Sequence, residues 1–192
     1  KDVYYQMGNL RFKENNFAGA IEAYDKAVVL GANDEVIFNN RGKAKLNGGK
    51  LQESIGDFDR ALGLKKDYTQ ALKNRASARY QLKEYPGVIA DMAIVVSRGE
   101  AGAEEFASLG ISKYRTKDYQ GARTDLTKAI DTGSKDNFTH AARGLSFYAL
   151  KEFEKSIPDL NRAIELGQHD SNIYFSRGAA KYTLKDYKTA LP

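Results

Sequence analysis

An all-α solenoid of antiparallel helical hairpins is the fold class this sequence predicts, and three observations predict it. The 192-residue chain aligns with itself in rows 1–34, 35–68, 69–102, 103–136, 137–170 and an incomplete 171–192, with no gap. Gly8, Gly42, Gly110, Gly144 and Gly178 share one column, which Ala76 alone interrupts. Two further columns are small: Ala20, Ser54, Val88, Ala122, Ser156, Ala190, and Ala27, Ala61, Val95, Ala129, Ala163. Small side chains in phase are what closely approaching helix backbones require. Finally, apolar residues recur at helical spacing in both halves of a row, as in Tyr4, Met7, Leu10 and in Ile157, Leu160, Ile164, and nothing alternates as a strand would.

Each row therefore reads as a first helix, a tight turn and a second helix. Turn-prone segments such as Asn15-Asn16, Asn47-Gly48-Gly49 and Lys117-Asp118 fall near the fifteenth place of the row. Each turn is followed by an apolar anchor at the start of the second helix: Phe17, Leu51, Tyr85, Tyr119, Phe153, Tyr187. The second helix stops at Gly31, Gly99, Gly133 and Gly167, where a left-handed cap is expected, with Lys65 the exception. Pro158 and Pro192 share a column and are expected on the outer face, where a missing backbone donor is tolerated. Pro86 is an ordinary first-turn proline.

In the first row Tyr4, Met7, Gly8, Ala20, Tyr24, Ala27 and Leu30 follow a recognised order, and through them the whole chain resembles the tetratricopeptide repeat family. The resemblance implies a single right-handed superhelical solenoid over residues 1–192, of about five and a half repeats. It also implies a non-enzymatic protein-interaction module whose first helices line a groove for an extended peptide or a partner's helix. Two departures are systematic. The family's tyrosine column is basic here (Arg11, Lys45, Arg79, Lys113, Lys181, with Phe147 aromatic), and its terminal proline column holds Ala32, Lys66, Glu100, Ser134 and Gln168.

A third departure places arginine before the glycine column at Arg41, Arg75, Arg143 and Arg177, while Asp57, Asp91, Asp125 and Asp159 recur in the second helices. On antiparallel helices these stand at similar heights, so register-fixing salt bridges Arg41–Asp57, Arg75–Asp91 and Arg143–Asp159 are expected. Row four has Leu109 in the arginine place, which leaves Arg143 of the next row as a candidate partner for Asp125.

Composition narrows the function classes. Charged residues make up 29%, no apolar run is long enough to cross a membrane, and no signal-like block opens the chain. Starting at Lys1 and stopping at Pro192 inside a second helix reads as a piece of a longer chain, so compartment and missing regions stay open. Without cysteine there is no disulfide, thiol nucleophile or thiolate metal site. His140 and His169 lack metal-ligand spacing; His140 reads as partly buried between helices and His169 as exposed in a loop. Gly48-Gly49 lacks the context of a phosphate loop. No catalytic residue, metal or cofactor is expected. The net charge of +5 is spread along the chain.

Mapped through the resemblance, the groove has two unlike halves. Gln6, Asn9, Asn39, Asn40, Lys43, Asn47, Lys73, Asn74, Ser77 and Gln81 make one half polar, whereas Ala107, Ile111, Phe138, Ala141, Ala142, Leu145, Ala149, Phe175 and Ala179 make the other apolar. Gln6, Asn40 and Asn74 share a column resembling an asparagine ladder that holds a peptide backbone, since a carboxamide offers both donor and acceptor; solvated surface amides are the competing reading. The family's carboxylate clamp is matched at Asn9 and Asn40, but Tyr5, Gln70 and Asn74 stand where its cations belong. The column Phe12, Leu46, Tyr80, Tyr114, Tyr148, Tyr182 either packs between neighbouring first helices or presents hydroxyl edges to a partner. The expected partner contacts are thus Asn9, Asn40, Lys43, Lys73, Asn74, Ser77, Tyr80, Ile111, Tyr114, Phe138, Leu145 and Tyr148. Alternatives are a scaffold arm whose groove is filled by missing chain or a second copy, and an RNA-reading helical repeat, which the thin set Lys13, Lys43, Lys73 and Arg115 against Asp2 and Glu104 disfavours.

Overall fold

The structure, a computed structural model, describes residues 1–186. Among these residues it is all-helical, with eleven helices: α1 (Asp2–Lys13), α2 (Phe17–Val29), α3 (Glu35–Asn47), α4 (Leu51–Leu64), α5 (Thr69–Gln81), α6 (Tyr85–Ser97), α7 (Ala103–Arg115), α8 (Tyr119–Asp131), α9 (Asn137–Ala149), α10 (Phe153–Glu165) and α11 (Ser171–Thr183). Odd-numbered helices are the first helices of the rows and even-numbered ones the second. The chain forms two compact units, Lys1–Asp91 and Met92–Pro192. Tyr187, Ala190 and Pro192 lie outside the described residues.

Hairpin formation follows from capping chemistry. The repeat places the turn near the fifteenth residue of the row, and the backbone crosses to positive φ there in every described row: Asn15 (59°), Gly49 (78°), Lys83 (61°), Lys117 (67°), Lys151 (61°) and Lys185 (62°). Four lysines in the left-handed region go beyond what propensity predicts, because an L side chain there is disfavoured by about 1–2 kcal/mol. The closing bonds offset that cost: the N–H of Glu84 donates to the Arg79 carbonyl and that of Asp118 to the Lys113 carbonyl, each at 2.9 Å. Second helices end as expected at Gly31, Gly99, Gly133 and Gly167, all at positive φ. Lys65 instead extends at φ −140°.

Close approach explains the small columns. In the first unit a Cβ on Gly42 would lie 2.7 Å from the Phe58 ring, and in the second a Cβ on Gly144 would lie 2.8 Å from the Leu160 side chain. Ala20, Ser54, Val88, Ala122 and Ser156 are fully buried, and so are Ala27, Ala61, Val95, Ala129 and Ala163. Glycine thus lets the second-helix core residue of the same hairpin lie directly against the first-helix backbone. Pro158 is exposed, as its column predicts.

The charged columns form clamps. In the first unit Arg41 Nε donates to Asp57 at 2.9 Å and Arg75 Nε to Asp91 at 3.0 Å; in the second, Arg143 Nε donates to Asp159 at 2.6 Å. Each arginine also reaches the preceding row: Arg41 to Asp25 (2.8 Å), Arg75 to Asp59 (2.5 Å), Arg143 to Thr127 (3.4 Å) and Arg177 to Asn161 (3.2 Å). One guanidinium therefore ties two consecutive second helices, using its planar fork in two directions. The basic column supplies a second cation, with Lys45 on Asp57 and Arg79 on Asp91, both at 2.8 Å. Asp125 departs from the sequence expectation: its cation is Lys113 of its own hairpin at 2.6 Å, not Arg143. Where Phe147 replaces the cation, His140 Nδ1 lies 3.1 Å from Asp159.

Candidate functional site

In the first unit two amides of the column, Asn40 and Asn74, are wired into the fold, while Gln6 is exposed. Tyr24, 1% exposed, donates its hydroxyl to Asn9 Oδ1 at 2.7 Å. Burial, with Tyr5 adjacent, pushes its phenol up to about 12. Asn40 Nδ2 donates to the Tyr5 hydroxyl at 3.0 Å and to Asn9 Oδ1 at 3.4 Å. Asn74 is buried, donates to Asn39 Oδ1 at 2.9 Å and accepts from Gln70 at 3.1 Å. A buried carboxamide with donor and acceptor both engaged holds neighbouring first helices in register.

What faces outward in this unit is a cleft of about 260 Å³ lined by Gln6, Asn9, Phe12, Lys13, Tyr24, Asn40 and Lys43. The structure brings Asn9, Asn40 and Lys43 together there. Lys13 and Lys43 are exposed and have no carboxylate partner among the described residues; Lys43 Nζ sits 5.4 Å from the centre of the Phe12 ring. Two cations, the Asn9 and Gln6 carboxamides and an aromatic wall therefore converge on one open space. Lys73 is half-buried, Ser77 exposed, and Tyr80 half-buried against Tyr85, the ring centres 5.9 Å apart; none of the three lines this cleft.

The second unit places its site residues differently. Ile111 and Tyr114 pack on the buried cluster Ala122, Leu126 and Ala142, and Leu145 packs on Ala141, Leu160, Ala163 and Ile173. Phe138 and Phe175 stand out, 54% and 68% exposed, on the first helices α9 and α11. Burial raises the Tyr114 phenol above its ordinary value against the opposing pull of Arg115. The aromatic column packs in two directions. Tyr114 and Leu46 join clusters that include Ala142 and Ala78 of the next first helix. Within hairpins the rings meet at a tilt, Phe12 on Phe17 (5.5 Å), Tyr114 on Tyr119 (5.9 Å) and Tyr148 on Phe153 (5.6 Å between ring centres). Its rings meet the anchor residue five places on, across the turn, so they also close the hairpin. His140 is partly buried on Asp159, and His169 is exposed and stacked on Tyr174, both as expected.

Helical hairpins of this length, with a glycine column facing the core residue of each second helix, define a helical-repeat protein. Comparison with known proteins then shows what the chain is similar to. A tetratricopeptide repeat model matches residues 1–30. The serine/threonine-protein phosphatase T of Trypanosoma brucei brucei is 30% identical over 95 residues, which is 50% of this chain and 20% of the relative. The Hsp70-Hsp90 organizing protein 3 of Arabidopsis thaliana is 26% identical over 80 residues, 42% of this chain and 14% of the relative. Among solved structures, YrrB, described as a TPR protein with an unusual peptide-binding site, superposes with a TM-score of 0.76 at 15% identity, covering 89% of this chain and 88% of its own. Residues 1–30 thus match the tetratricopeptide repeat, and the described residues share the fold of solved tetratricopeptide repeat structures. It spans about a fifth or less of the length of the curated relatives it matches. The family's fold is generally a non-enzymatic interaction module, and no helix among the described residues is long and apolar enough to cross a membrane.

The sequence pointed to Asn9, Asn40 and Lys43 but left out of the partner set the residues that complete their cleft, Gln6, Phe12 and Lys13. The missed signal was the fourfold step along α1 from Asn9 to Lys13, which puts the lysine on the same helix face as the amide.

Proposed function

We propose that this chain is a non-enzymatic protein-interaction module whose first-helix face binds a partner's peptide, and that the first unit recognises a carboxylate on it. The observation that carries this reading is the convergence of Lys13 and Lys43, neither paired with a carboxylate among the described residues, beside the carboxamides of Asn9 and Gln6 in one cleft. A carboxylate entering it gains two charge-assisted partners and amide donors, while Phe12 offers apolar contact to the adjoining side chain. The Arabidopsis relative, named as an organizing protein for Hsp70 and Hsp90, and YrrB, with its peptide-binding site, support peptide or protein partners as a class. The second unit's exposed Phe138 and Phe175 would take apolar side chains of the same or another segment.

The test is calorimetric titration of the chain with an acidic peptide carrying a free C-terminus, beside its C-terminally amidated twin. Lys13→Ala with Lys43→Ala is expected to weaken binding of the free-carboxylate peptide by about tenfold or more. Equal affinity of wild type and double variant for that peptide would overturn the carboxylate reading. An amidated twin that binds as tightly as the free peptide would move the contact to side-chain carboxylates.

A further inference from the structure

Three departures from the repeat meet in one place in the second unit. One column of the second helices is isoleucine at Ile21, Ile55, Ile89 and Ile157, but Arg123 in row four. Lys155 stands in a column that the other complete rows fill with Gly19, Glu53, Gly87 and Gly121. Phe147 replaces a cation found at Arg11, Lys45, Arg79, Lys113 and Lys181. The fold assembles these three with Thr124, Thr127 and Lys128 around an open cleft of about 450 Å³.

Two of the cleft's cations, Arg123 and Lys155, already pair with a carboxylate of the same chain, Glu152. Glu152 occupies the N-cap place of α10, where Asn16 and Asp118 cap their helices in rows one and four, yet it makes no side-chain cap bond. It turns instead to Arg123, in a short ion pair, and to Lys155 Nζ at 2.8 Å. Those bonds, the Lys155 one foremost, hold its carboxyl below the usual range despite partial desolvation. Lys155 also lies 5.9 Å from the centre of the Phe147 ring, and Lys128 lies 5.5 Å from that of Phe106. With three cations and one carboxylate the cleft is left net positive, around an aromatic ring in the place where other hairpins carry a cation.

We propose that this cleft is a second docking surface, distinct from the first-helix face, for an acidic peptide segment of a partner protein. A glutamate or aspartate of that segment displaces Glu152 from Arg123 and Lys155, and a neighbouring apolar side chain lies on Phe147. Glu152 is then an internal stand-in: it shows that the two cations accept a carboxylate, and it sets a threshold that a single weak acid must exceed. Two features favour a peptide over a nucleic acid. The positive footprint is confined to three side chains, whereas backbone-tracking nucleic-acid surfaces need an extended run of phosphate contacts. The central wall is one partly buried ring, suited to a single apolar side chain.

The experiment uses the 192-residue chain and a fluorescein-labelled decapeptide of alternating glutamate and phenylalanine, read by anisotropy. Arg123→Ile restores the residue that this column carries in every other complete row, so the fold should accept it; it is expected to weaken binding about tenfold. Glu152→Gln frees both cations and is expected to tighten binding about threefold or more. The titrations are run in a Lys13→Ala, Lys43→Ala background, which removes the first unit's cations, so that the remaining binding reports this cleft. Unchanged affinity in Arg123→Ile, with its circular dichroism intact, would overturn the proposal. So would a ten-nucleotide uridine oligomer that binds more tightly than the peptide and is lost in the same variant.

Discussion

The two units are built from one repeat but use their polar residues in opposite ways. In Lys1–Asp91 the second-helix aspartates Asp57 and Asp91 each hold two full cations, and the first helices are laced by the Tyr24, Asn9, Asn40 and Asn39, Asn74, Gln70 bonds. In the second unit Asp125 has one cation, Asp159 has an arginine and a histidine, and the displaced charge reappears in the cleft at Arg123 and Lys155. Clamp positions and surface positions therefore trade charge. Where a row commits its cation to the clamp, the hairpin is closed by it; in row five Phe147 stands in that place and His140 meets Asp159 instead.

Three measurements test that contrast, and the largest effect should come from the clamp. Asp57→Ala leaves Arg41 and Lys45, both mostly buried, without their shared carboxylate, and should cost about 3 kcal/mol of stability. Asp125→Ala strands only Lys113, whose flexible stem can reach water, and should cost about 1–2 kcal/mol. Equal losses in thermal denaturation would show that the second cation contributes nothing.

Next come the glycines. Gly42→Ala drives a methyl to 2.7 Å of the rigid Phe58 ring, whereas Gly144→Ala meets the branched end of Leu160 at 2.8 Å. Both should destabilise by about 1–3 kcal/mol, the first more, because a ring cannot move aside by a rotamer change as leucine can. Reversal of that order in urea denaturation would mean that the helix backbones shift more readily than the side chains.

The smallest effect concerns the caps. Asp136 in the second unit accepts from Thr139 N–H at 2.9 Å and from the Ser134 hydroxyl at 2.7 Å, and also takes the Thr139 hydroxyl. Partial burial acts to raise its pKa, but these donors outweigh burial and hold it below the ordinary carboxylate value. A carboxyl depressed in the folded state stabilises it above the unfolded value and loses that contribution as pH falls through the lowered one. Asp136→Ala should therefore cost about 1 kcal/mol near neutral pH and flatten the loss of stability below pH of about 4. Parallel wild-type and variant stability curves through that acid range would remove the assignment.

Much of this architecture was readable in one dimension. Gly42, Ala27 and Ala61 sit in columns because helix contacts recur at every repeat, and the Arg41–Asp57 pair followed from counting residues around a turn. Lys113 on Asp125 was not read, though the signal was present: the basic column and the aspartate column stand about twelve places apart along the row, across one hairpin. Asn40 and Asn74 looked alike because they share a column, yet Asn74 is enclosed by Asn39 and Gln70 while Asn40 borders an open cleft. Their difference comes from the identities of neighbours about one repeat away.

Periodicity, caps and the spacing of small residues determine the hairpins, because each depends on contacts within a few residues or across one turn. Which cations close a clamp and which face solvent depends on where several rows bring Arg123, Phe147, Glu152 and Lys155. No single row contains that information, since a side chain's electrostatic environment is set by atoms close in space and distant in the chain.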